Sequence, residues 1–169
     1  MENSETKENW RLLRKHRTNL NVAGKAMLAF GIWTLLKLIL ELFLGEDSIT
    51  ELAHQITEES ELVGAVLVVI IYILIGLIPL SIHYFIYRGA KKESHGKKVG
   101  YTYLVISFLL GLMTVFSIIM TIRKPSAVEQ GILSYCSSIL FDLAIVICSI
   151  DVLSNGIQCK RLKKALRKQ

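Results

Sequence analysis

A chain of 169 residues fits one domain, and 52% of it is hydrophobic, with the apolar residues gathered into four long blocks. The net charge of +6 would suit a nucleic-acid binder, but its cations are placed like those of a membrane protein's inner loops, which excludes that class. A soluble bundle is excluded too, because it would show an outward polar residue every three or four positions, and Val66–Leu80 offers only Tyr72.

Residues 1–25 form a basic segment, with Trp10, Leu12, Leu13 and Leu20 set among Arg11, Arg14, Lys15 and Arg17. That mixture predicts a short helix lying on the inner membrane surface, or else a disordered tail whose charges set topology. The first span, 26–44, is long enough to cross a bilayer core of about 30 Å. It carries Lys37 and Glu41. With two charges and no small-residue cleavage site, it is expected to be an uncleaved span rather than a signal peptide.

The outer loop, 45–61, is acidic and holds no Lys or Arg. Ser48-Ile-Thr-Glu51 is a capping box that predicts a short surface helix. Glu51, His54 and Glu58 share one side of it, a spacing that more often marks a solvated face than a metal site. The second span, 62–87, contains Gly76 and Pro79, which predict a helix kink. His83 is expected to be a satisfied interfacial histidine.

The inner loop, 88–100, carries Arg88, Lys91, Lys92, Lys97 and Lys98. The third span covers 101–122 and ends before Pro125. In the outer loop, 123–131, Ser126–Glu129 is a second capping box. The fourth span, 132–153, is expected to stop at an Asn155-Gly156 C-cap, followed by a basic tail, 154–169, lying on lipid or docking a protein.

Six of the 20 Lys and Arg precede the first span, five lie in the inner loop and six follow the fourth span. By the positive-inside rule both termini are cytoplasmic. The inner-loop cations, with Lys160, Arg161, Lys163 and Lys164, are the candidate contacts for anionic lipid headgroups.

Each span also shows a stripe of small or polar residues at helical spacing. These are Gly31, Thr34, Lys37 and Glu41; Gly64, Val68, Tyr72, Gly76, Pro79 and His83; Ser107, Gly111, Thr114 and Thr121; and Ser134, Ser138, Asp142 and Ser149. At 1.5 Å per residue, Lys37 lies roughly 16 Å from the inner end of its span and Asp142 roughly 15 Å from the outer end of its own. The expectation is a midplane polar layer of Lys37, Glu41, Tyr72, Thr114 and Asp142, built on a Lys37–Asp142 ion pair in a dry interior.

Cys136, Cys148 and Cys159 imply no disulfide framework. No nucleophile elbow, zinc-protease helix or phosphate loop occurs, and neither cofactor nor metal is expected. The inside–inside four-span topology resembles that of tetraspanins and claudins, whose outer-loop cysteine motifs are absent here. The expectation is an all-α integral membrane four-helix bundle, a non-enzymatic subunit or scaffold of the cell membrane. Its partners would be anionic lipid and another membrane subunit or a second copy of itself. The alternative is an oligomeric proton- or cation-coupled transporter using Glu41, Lys37 and Asp142.

Overall fold

The computed structural model describes residues 4–44, 61–123 and 132–167. The described elements are four helices: α1 (Ser4–Leu44), α2 (Glu61–Ser94), α3 (Thr102–Arg123) and α4 (Ile132–Leu166). Each contains a stretch long and apolar enough to cross a membrane. Large apolar side chains such as Ile78, Met113, Phe116, Leu140 and Ile147 point outward. Water would make that surface costly at about 25 cal/mol per Å², whereas lipid would not. Both predicted capping boxes and the Glu51, His54 and Glu58 set lie outside the described residues.

Three elements run further than the sequence predicts. α1 begins at Ser4, so the basic N-terminal segment is neither a separate surface helix nor a tail. Its 41 residues measure about 60 Å, twice a bilayer core. α2 continues to Ser94 and takes half of the predicted inner loop. α4 continues to Leu166, straight through the predicted Asn155-Gly156 cap. The reason is packing: Gly156 is used for its missing side chain, not for a left-handed turn. Among the described residues the only positive φ belongs to Gly96.

The chain divides into two compact units, one of residues 1–27 with 85–169, the other of residues 28–84. In the first unit Leu13, Leu20 and Met27 of α1, seven residues apart, are buried, as are Ile86 and Ala90 of α2 and Val152 and Cys159 of α4. A stripe of that spacing presents one face, and protein covers it as well as lipid would. Tyr103 is fully buried at the start of α3. A Cβ on Gly89 would sit 2.5 Å from the Tyr103 Cβ and Cγ, and one on Gly156 would sit 2.8 Å from its hydroxyl oxygen. Two glycines on separate helices thus make room for one ring.

Further along, α3 and α4 cross where side chains are small. Ser107, Gly111, Thr114 and Ser149 are all buried. A Cβ on Gly111 would lie 3.3 Å from that of Ser149, and the Ser107 hydroxyl donates to the Ser149 carbonyl at 3.5 Å. Close approach through small residues is how helices associate when apolar burial gives no driving force.

In the second unit α1 and α2 meet in the same way. A Cβ on Gly31 would be 2.7 Å from His83 Cβ, and one on Gly76 would be 2.8 Å from Leu35. Gly64, Val68, Gly76 and His83 are buried, so this stripe is a packing face. Pro79 lies inside α2, and its carbonyl accepts a hydrogen bond from His83 Nδ1 at 2.8 Å. The other ring nitrogen of His83 is buried without a partner, so the histidine is only half satisfied.

Candidate functional site

The richest chemistry lies in the first unit, where α2 ends. Gly96, at φ 83°, takes the left-handed conformation that closes a helix. Its amide donates to the Glu93 carbonyl at 3.0 Å, and the Lys97 amide donates to the Lys92 carbonyl at 3.0 Å. This pair of bonds is a Schellman cap, and it turns the chain back along α4.

The cap leaves Glu93 in the final turn of α2, where unpaired carbonyls disfavour a carboxylate. Glu93 is nevertheless only 1% exposed. Two lysines one turn apart on α4 neutralise it. Lys160 Nζ lies 3.1 Å from one carboxylate oxygen, and Lys163 holds the other. Lys160 also donates to the carbonyls of Val99 (2.5 Å) and Gly100 (3.3 Å) and stands 4.5 Å from the centre of the Tyr101 ring. Lys163 reaches the Lys97 carbonyl at 3.5 Å. A single buried acid therefore ties α2, the following turn and α4 together.

Beside this lock opens a cleft of about 220 Å³, whose rim carries Lys98, Lys164 and Arg167. All three are exposed. A neighbouring cleft of about 290 Å³ is lined by Arg88, Lys92 and Tyr103. Behind the cap, the Arg17 guanidinium would lie 3.2 Å from a Cβ on Gly96, and its Nε is buried with no partner. At the preceding position on α1, His16 Nδ1 donates to the Asn155 side-chain carbonyl at 2.9 Å, and the Asn155 amide donates to the Asp151 carbonyl at 2.8 Å.

Among the cations singled out in the sequence, Lys160 and Lys163 are engaged by Glu93, Lys98 and Lys164 line the first cleft, and Arg88 and Lys92 line the second. Lys91 stands over the Tyr87 ring at 5.4 Å, and Lys97 and Arg161 are exposed. The predicted midplane residues fall in both units. Lys37, exposed, and Tyr72, half-buried, belong to the second, where Glu41 also lies on α1. Thr114 and the half-buried Asp142 belong to the first, and the Thr114 hydroxyl donates to the Leu110 carbonyl at 2.9 Å.

Sequence reasoning passed over Glu93 and Tyr103, and took Arg17 and Arg167 only as members of basic segments. A signal existed for Glu93: it is the one acid in the Arg88–Lys98 run, and Lys160 and Lys163 are spaced to meet it from one helix face. Comparison with protein-family models, with curated proteins and with solved structures finds no match.

Proposed function

We propose that this chain is a four-span protein of the cell membrane, with both ends cytoplasmic, that acts without catalysis as a subunit or scaffold through its partners. The four apolar helices and the grouping of cations in residues 1–25, 88–100 and 154–169 support that topology. The observation that carries the reading is the Glu93–Lys160–Lys163 lock, because it makes the basic segments part of a folded surface rather than loose ends. A surface of fixed shape and strong positive charge is suited to recruiting an acidic partner.

Cross-linking in native membranes followed by pull-down tests this. A distinct protein should be recovered, and its yield should fall when Glu93 is replaced. Recovery of the chain alone counts against the reading. So does proton or cation flux in proteoliposomes that Asp142→Asn abolishes with folding intact, because that outcome belongs to a transporter.

A further inference from the structure

The geometry points to the cleft between the Gly96 turn and the end of α4 as the binding site for a polyphosphorylated lipid headgroup, of the kind carried by a phosphorylated inositol lipid. This rests on the reading that the basic end faces the inner leaflet, and it narrows that reading to one place and one ligand chemistry.

The first argument is charge. Glu93 is the one acid among the residues lining the cleft, and Lys160 and Lys163 already cover it. At the rim, Lys98, Lys164 and Arg167 have no carboxylate partner among the described residues. The Arg17 guanidinium stands beside Gly96, which itself lines the cleft, and adds to the local positive charge. Cations gathered with so little compensation repel one another, and a multivalent anion relieves that repulsion.

The second argument is preorganisation. Lys160 and Lys163 are held by the carboxylate and by the carbonyls of Lys97, Val99 and Gly100, so the floor of the cleft exists before a ligand arrives. Little further ordering is then needed on binding. Size and donor type set the class. About 220 Å³ admits a ring-sized polar group and is small for a peptide. Arg167 offers the planar fork that holds a phosphate through two bonds, with Lys98 and Lys164 as point charges beside it. A singly charged headgroup offers too few oxygens and too little charge to engage all three rim cations at once, so a multivalent one should bind more tightly.

The test uses the full chain in neutral detergent micelles, titrated with short-chain phosphatidylinositol bisphosphate and followed by thermophoresis. Binding should saturate at one site. A basic residue near an anionic headgroup is worth about fivefold in affinity, so Lys98→Ala, Lys164→Ala and Arg167→Ala together should weaken it by roughly a hundredfold. Lys7→Ala, Arg11→Ala and Arg14→Ala, three exposed cations elsewhere, should weaken it by less than about threefold. Thermal unfolding checks that both variants are folded.

Equal losses in the two variants would reduce the effect to general surface charge and overturn the site. Equal binding of short-chain phosphatidylserine at matched charge would overturn the ligand class. Soluble inositol trisphosphate binding as tightly as the lipid would make this a site for free phosphates and overturn the lipid assignment. A micelle has no sides, so orientation is read separately, by labelling Lys98→Cys in sealed vesicles of a variant lacking the native cysteines. An outward cleft would refute the topology and leave the binding result standing.

Discussion

Replacing Glu93 by alanine is the sharpest perturbation this structure offers. The side chains of Lys160 and Lys163 are only 13% and 21% exposed, so the change leaves two largely buried ammonium groups without their anion. Breaking a buried pair from one side costs about 3–5 kcal/mol. Lys160 keeps two carbonyl acceptors and the Tyr101 ring, and Lys163 keeps some access to water, which argues for the lower end, about 3 kcal/mol. At roughly 2–4 °C per kcal/mol for a chain of this size, thermal unfolding in detergent should fall by roughly 6–12 °C. Lys164→Ala, at an exposed neighbour, should move it by only about 1–2 °C. Removing the whole cluster, as Glu93→Leu with Lys160→Met and Lys163→Met, should restore most of the loss, because the uncompensated charges go with it. A Glu93→Ala shift as small as that of Lys164→Ala would refute the claim that this carboxylate holds the ends of α2 and α4 together.

Two further outcomes are expected. Gly89→Ala would place a methyl group 2.5 Å from the Tyr103 side chain and should destabilise by about 1–3 kcal/mol, whereas Gly100→Ala, whose nearest contact is 3.7 Å, should be close to neutral in the same unfolding assay. The Lys37–Asp142 pairing inferred from depth predicts that Lys37→Ala lowers folding yield more than Lys37→Ala combined with Asp142→Ala; equally mild single and double changes would dismiss it.

The four long apolar helices, and the small residues at which they approach one another, were legible because helix geometry and apolar run length impose strong rules. Residue Gly31 in one unit, and Gly111 with Ser149 in the other, lie where helices approach closely, and spacing alone placed them on common faces. What lay past the spans was harder to read. Leu13 and Leu20 form the same stripe whether they meet lipid or a neighbouring helix, so periodicity could not choose between them. Asn155-Gly156 carries the residues of a cap, yet the bond from His16 and the closeness of Leu104 and Tyr103 hold it in mid-helix. The Glu93 lock joins residues nearly seventy positions apart, and counting positive charges along the chain hides the single acid among them.

The Tyr103 ring has a mechanical consequence. α2 and α4 each offer it a notch one residue long, at Gly89 and Gly156, with side chains on either side. Sliding α4 along its axis would carry Val152 or Cys159, which share the face of Gly156, toward the ring, and sliding α2 would carry Ile86 or Glu93, which share the face of Gly89. Axial slippage of these three helices is therefore blocked like a key in its wards. Movement along the helix axes at this end requires all three helices to shift together, or the tyrosine to withdraw first.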